Sequence, residues 1–572
     1  MAADTAESTD RAESTDRTVD NVLGQQVMGD FRPSDLIGTA RSLAGDALRR
    51  PTVVARSVLG FVSEIGLVAA GERHREPVRG DRRFTDAQWR ENPLYAGLLQ
   101  GYLALRESMD RYAERAGGTD RQSERIRFLM AQVGDALAPT NFLLGNPAAL
   151  RRARETRGMS LLRGARNALG DVRSGRPIPA QVDGTAFEVG RNLACTPGSV
   201  VLRTEMFELI QYAPQSTEVH EQPILIVPSI VNKFYVFDLA PGRSVIEHYV
   251  RSGFTVYCIV WRNPQARHDL WGMQEYRDAI DTALDAASQI SASETVNMWA
   301  VCGAGPVAVS LAAHHAATGA KKINSLLLVV SPLDTEAMAE APSIGAFMDK
   351  DDPAAPERVA DALRNKRMSA KEFTLLFAML RANDLIWNYW VSNYLMGDRP
   401  PAFDVLYWNE DATGMTAQFN SDFSEFVHAN PFVTPGAMQV RGTPIADVAE
   451  LGFDSYVLGA KNDHLCVWQS VYRSAQVLGP RSTFVLGNSG HIQTIVCPPE
   501  NPKASFSTGA DLTGTAQEWL ERSERHQGSW WDHGVAWTRE RSGRTVAAPD
   551  VAGSSEYPVL GPAPGRYVME RA

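Results

Sequence analysis

Three residues of this chain carry chemistry that works together, and each follows a short apolar run. Cys302 comes directly after Val296–Val301 and precedes Gly303-Ala304-Gly305. Asp463 stands in Lys461-Asn462-Asp463-His464, beyond the run at 455–459, and His491 in Asn488-Ser489-Gly490-His491, beyond the run at 483–486. A thiolate attacks acyl carbon, an imidazole takes the thiol proton, and a carboxylate orients the imidazole. A lone cysteine after an apolar strand is usually an inert core residue. Here small residues follow it, as a sharp turn presenting a nucleophile requires. Two competitors stand nearby. His464 adjoins the acid and reads as a supporting residue, and Asp334, beyond the run at 325–330, is a second carboxylate able to orient the histidine.

The elements that must position these residues are legible as runs. Ile224–Val227, 254–261, Val296–Val301, 325–330, 455–459 and 483–486 are mostly apolar throughout, the pattern of strands buried on both faces. Helical stretches at 243–251, 275–289 and 469–477 lie between them. This alternation predicts a parallel sheet with helices on both faces, whose sites lie beyond the carboxyl ends of the strands. Cys302, Asp463 and His491 then share one edge, in the chain order nucleophile, acid, histidine that belongs to the α/β-hydrolase fold. Residues 300–305 read as a worn G-x-S-x-G elbow, with cysteine as nucleophile and alanine at both outer positions. The same template assigns the oxyanion hole to the N–H of Gly303 and to one near Val231, in the loop 228–235. The rhythm breaks at about 331–448, a long, aromatic, mostly helical span that reads as a cap inserted in the sheet and able to move over Cys302.

The rest of the chain bounds the function. Of 572 residues, 67 are acidic and 57 basic, a net charge of −10 that gives no support for broad nucleic-acid binding. Cys195, Cys258, Cys302, Cys466 and Cys497 are widely spaced and form no CxxC pair, which argues against disulfides and a metal site and for a reducing, cytoplasmic compartment. No apolar run is long enough to span a membrane, and the N-terminus lacks the apolar stretch of a secretory signal. Residues 1–24, in which AESTDR occurs twice in tandem, read as a disordered tail. Residues 25–197 read as an α-helical N-terminal domain and 198–572 as the α/β domain. Within the helical part, apolar residues of 92–105 recur every three or four positions behind an Asn92 N-cap and Pro93.

Several of these motifs, in order, resemble the polyhydroxyalkanoate synthases, most closely the class I type. They include Trp89-Arg90-Glu91-Asn92-Pro93-Leu94-Tyr95, Pro139-Thr140-Asn141-Phe142, Asn232-Lys233-Phe234-Tyr235, Trp261-Arg262-Asn263-Pro264, Asn383-Asp384-Leu385-Ile386-Trp387, Trp408-Asn409-Glu410-Asp411 and Asp463-His464 with Trp468. The resemblance implies a polymerising acyltransferase that joins (R)-3-hydroxyacyl groups from coenzyme A thioesters into a polyester and releases CoA. It makes Cys302 the acylated nucleophile, His491 its base and Asp463 the acid that helps activate the incoming 3-hydroxyl, with no cofactor. It also implies a homodimer, cytoplasmic until polymer forms and then at the granule surface. Arg381, beside Asn383-Asp384 in the cap, is placed to meet CoA phosphates, or else forms an ordinary surface ion pair. The chain departs from the family's G-x-C-x-G-G elbow at Ala300 and Ala304. Two other readings stay open: a thioesterase or esterase on the same scaffold, and a weakly active granule-associated paralogue.

Overall fold

Eleven strands form one sheet in the computed structural model, which describes residues 74–78, 81–116, 120–338, 367–380, 382–434, 436–463 and 466–571. The expected tail at 1–24, Arg381 and His464 lie outside those residues. In chain order the strands are β1 (Gly198–Arg203), β2 (Phe207–Tyr212), β3 (Ile224–Val227), β4 (Val256–Trp261), β5 (Val296–Val301), β6 (Ile323–Val329), β7 (Asp454–Ala460), β8 (Ser482–Gly487), β9 (Ser505–Gly509), β10 (Glu524–Gln527) and β11 (Gly561–Pro562). Across the sheet they run β10-β9-β8-β7-β6-β5-β3-β4-β2-β1-β11. The six strands from β8 to β4 are parallel to their neighbours, as the apolar runs predict. Their register aligns Val227 with Ala300, Ala300 with Leu328, Leu328 with Val457 and Val457 with Phe484. The carboxyl ends of β5, β7 and β8 therefore open on the same edge. The chain has the α/β-hydrolase fold, with a helical region before it and a largely helical insertion between β6 and β7.

The antiparallel strands at both edges were not anticipated. Polar side chains disguise them. β2 is buried along its whole length although it carries Glu208. That carboxylate is fully buried and satisfied: it takes Arg203 Nε at 2.6 Å and the backbone N–H groups of Arg566 and Tyr567 at 2.7 and 2.9 Å. A buried carboxylate costs free energy unless it is paired in this way. The same bonds fold residues near the C-terminal end of the chain back onto β1 and β2.

The described part of the insertion contains helices Thr335–Met338, Ala370–Leu380, Asp404–Glu410 and Ala417–Ala429, and two π-helical segments, Asn383–Trp387 and Trp390–Leu395. The N-terminal helices grip it. Arg83 donates to Asn383 Oδ1 at 2.8 Å, Asn167 to the carbonyls of Asn393 and Asp398, Gln181 to the carbonyl of Leu385, and Trp390 donates to that of Asn141. Gly164 lies so close to Tyr394 that a Cβ there would overlap its carbonyl oxygen. The helix Pro93–Ala116 starts as its sequence predicts, with Asn92 Oδ1 accepting the N–H of Leu94 at 3.0 Å.

Candidate active site

Cys302 follows β5 in a left-handed conformation, φ 52°, a region that residues other than glycine avoid. Its N–H donates to the carbonyl of Val329 at 2.9 Å, and its own carbonyl accepts from Ser331 Oγ at 2.5 Å and from the N–H of Gly305 at 2.9 Å. These bonds hold the turn that leads into helix Ala304–Thr318. The alanines at the outer elbow positions are accommodated: Ala300 and Ala304 are fully buried within the packed core. The remaining glycine is where space runs out, as a Cβ on Gly305 would lie 1.9 Å from Ser331 Oγ.

His491 is the first residue of the short helix His491–Ile495 that follows β8. Its Nδ1 lies 2.5 Å from Asp463 Oδ2, and both residues are buried. The indole N–H groups of Trp530 and Trp531 donate to the carbonyls of Thr494 and Ile495, fixing that helix from behind. The other Asp463 oxygen accepts the N–H of Cys466 at 3.0 Å. Asp334, the alternative acid, is turned elsewhere, accepting from Arg473 Nε at 3.1 Å and Asn430 Nδ2 at 2.9 Å. The structure thus brings Cys302, His491 and Asp463 together and leaves Asp334 out.

The electrostatics of the site favour separated charge. Hydrogen bonding from the Cys466 thiol and the proximity of His491 hold the Cys302 thiol below its ordinary range, against burial and the Asp463 charge. Burial alone would lower the His491 pKa, but the charges of Asp463 and Cys302 raise it above the usual histidine range. Donation to Cys302, together with burial, pushes the Cys466 thiol well up. Both shifts favour a thiolate beside an imidazolium, the form in which a cysteine is nucleophilic at neutral pH.

Cys302 and His491 open on a cavity of about 20 Å³, lined also by Pro228, Ser229, Asn232, Lys233 and Trp408. The loop after β3 forms one wall. Val231 is wholly buried there, and its neighbours rather than its own side chain face the cavity. Gly303 is buried at the N-terminus of the helix that follows Cys302. Trp261 Nε1 donates to the Pro228 carbonyl at 3.0 Å, and Trp408 Nε1 donates to that of Lys233 at 2.7 Å. The helix Asp404–Glu410 that carries Trp408 also lends Tyr407 and Glu410 to a second cavity of about 660 Å³, which Arg176, Lys371 and Arg571 line as well.

Sequence reasoning missed two contributors. Lys233 is buried, and its ammonium donates to the carbonyls of Tyr567, Val568 and Glu570, the last at 2.6 Å. Cys466 is the other; the signal was its position three residues after Asp463, where a backbone N–H folding back onto an Asp side chain carries its own side chain inward. Asp463, Cys466 and His491 also form a group whose potential metal-ligand atoms lie within 4.8 Å of one another.

Known proteins are similar to this chain over nearly its whole length. Residues 80–249 match the family described as the poly-beta-hydroxybutyrate polymerase (PhaC) N-terminus, and residues 222–496 match the alpha/beta hydrolase fold. Poly(3-hydroxyalkanoate) polymerase 1 of Ectopseudomonas oleovorans is 41% identical over 552 residues, covering 96% of this chain and 98% of that protein. The poly(3-hydroxyalkanoate) polymerase subunit PhaC of Cupriavidus necator is 36% identical over 497 residues, covering 86% of this chain and 83% of that protein. With identities of 36–41% over 86% or more of its length, the chain belongs to the poly(3-hydroxyalkanoate) polymerase family of acyltransferases.

Proposed function

We propose that this protein joins (R)-3-hydroxyacyl groups from CoA thioesters into a polyester through a Cys302 acyl-enzyme, releasing CoA. The observation that carries the reading is the buried Cys302–His491–Asp463 set beyond the ends of three parallel strands, with the thiol held below its ordinary pKa. Thiolate attack on a thioester exchanges one thioester for another, so the acyl group stays activated. His491 holds the thiol proton and passes it to the departing CoA sulfur. Asp463 orients His491 and aids removal of the proton from the incoming 3-hydroxyl, whose attack returns the thiolate. Backbone N–H groups of Gly303 and of the loop near Val231 are the donors proposed for the oxyanion.

A cavity of about 20 Å³ holds one water and no acyl chain. Substrate therefore reaches Cys302 by displacement of the insertion, and the helix carrying Trp408 is the part that must move. Closure afterwards excludes water and favours the hydroxyl as acceptor. The protein acts as a homodimer, cytoplasmic before polymer forms and on the granule surface afterwards; among the described residues no helix is long and apolar enough to cross a membrane. The test supplies (R)-3-hydroxybutyryl-CoA to the purified protein and follows CoA release, free 3-hydroxybutyrate and polymer together. Polymer matching the released CoA supports the reading. CoA release with free acid alone makes the protein a thioesterase.

A further inference from the structure

Cys466 makes and breaks no bond in acyl transfer as proposed, yet its thiol lies beside the nucleophile. Its N–H donates to Asp463 Oδ1 at 3.0 Å, which ties its backbone to the carboxylate beside His491. Its Sγ lies within 4.8 Å of a ring nitrogen of His491 and a carboxylate oxygen of Asp463, His491 lines the same cavity as Cys302, and the two thiols sit close enough for each to shift the other's titration. Both cysteines are shielded, Cys302 at 5% and Cys466 at 3% exposure, and Cys302 meets a cavity of about 20 Å³. That space fits a hydrogen peroxide molecule, close in size to water.

We propose that Cys302 and Cys466 form a reversible intrachain disulfide, with Cys466 as the resolving thiol and a peroxide as the oxidant. The proposal rests on Cys302 being the acylated nucleophile. In the first step the Cys302 thiolate attacks one peroxide oxygen. An S–O bond forms, the O–O bond breaks, and the leaving hydroxide takes a proton and departs as water. In the second step the Cys466 sulfur attacks the Cys302 sulfenic acid. An S–S bond forms, the S–O bond breaks, and hydroxide leaves with the Cys466 proton as a second water. Two thiols are oxidised by two electrons and one peroxide is reduced to two waters. The disulfide blocks acylation, spares Cys302 from irreversible sulfinic and sulfonic forms, and is undone by a dithiol.

The test treats the purified full chain with hydrogen peroxide, alkylates free thiols under denaturing conditions and digests with trypsin. Cys302 falls on the peptide 278–321 and Cys466 on 462–473, apart from Cys195, Cys258 and Cys497. The expected result is these two peptides linked, lighter by two hydrogens than their sum, with CoA release lost and then mostly regained after dithiothreitol. Under the same treatment Cys466→Ser, and Cys466→Ala as a second variant, should carry Cys302 to sulfinic acid and regain less than about a tenth of their untreated rate. Cys302 sulfinic acid without a linked peptide in the wild type overturns the proposal, as does equal rescue of the Cys466 variants. A linked peptide in protein whose CoA release is untouched supports the disulfide and removes Cys302 as nucleophile instead.

Discussion

Gly305 stands against Ser331 so closely that a methyl group on it would lie 1.9 Å from Ser331 Oγ and 2.8 Å from Leu328 Cδ1. The hydroxyl is not free to swing away, because it donates to the Cys302 carbonyl at 2.5 Å. The helix behind the nucleophile thus meets the sheet through a residue without a side chain. Two elbow positions carry methyl groups that fit, and the third has no room for one.

Gly305→Ala is expected to destabilise the protein by roughly 1–3 kcal/mol, the usual cost of overpacking a core, and to lower CoA release by displacing Cys302. Ala300→Gly and Ala304→Gly should each cost about 1 kcal/mol or less and keep turnover. Urea denaturation of the three variants beside the activity assay checks the contrast. A Gly305→Ala protein of unchanged stability and rate would show that the contact relaxes freely.

Cys302→Ala should abolish CoA release and leave the fold intact. The change removes one sulfur and leaves every backbone bond of the turn in place. The melting curve should stay close to that of the wild type while turnover disappears. Persistent turnover would remove Cys302 from the mechanism.

His491→Gln and Asp463→Asn should fail at different steps. His491 is needed to form the acyl-enzyme, and its loss should slow single-turnover acylation by about 10²- to 10⁴-fold. Asp463→Asn should acylate faster than His491→Gln and stall in elongation. Rapid-quench measurement of acyl-enzyme in each variant separates the two, and equal acylation defects would refute the division of labour.

The pH dependence follows from the lowered Cys302 pKa. Falling pH protonates the thiolate, so alkylation of Cys302 by iodoacetamide should persist well below the value of about 8.5 typical of a free thiol and fall only at lower pH. Cys466→Ala removes a hydrogen-bond donor to the thiolate. Cys302 should then hold its proton more tightly, and the fall in reactivity should begin at higher pH. Alkylation rates at Cys302, read by peptide mass spectrometry, test both curves; the same profile in wild type and variant would deny Cys466 this influence.

Much of the site was legible because each reactive residue follows a strand that the sequence marks by a mostly apolar run. The run at 325–330 became Ile323–Val329, and 483–486 became Ser482–Gly487. β2 stayed hidden because Glu208 interrupts its apolar pattern, and only the folded chain supplies the Arg203 guanidinium and the two N–H groups that make its burial tolerable. Cys466 and Lys233 escaped for a related reason. Their roles depend on atoms brought near by tertiary folding, a second sulfur in one case and backbone carbonyls in the other, and no spacing rule encodes those.

Lys233 joins positions that are 334 to 337 residues apart in sequence. Contacts of such separation close late in folding, since each must overcome the entropy of a long loop. The wall at 228–235 is therefore expected to be completed only when residues 567–570 dock, after the central strands have paired. The order reverses under stress. Local release of that segment strips Lys233 of its carbonyl partners and loosens the wall while the sheet still stands. Heat or denaturant should silence the enzyme before circular dichroism registers any loss of secondary structure, with cleavage near residue 566 by a protease marking the interval.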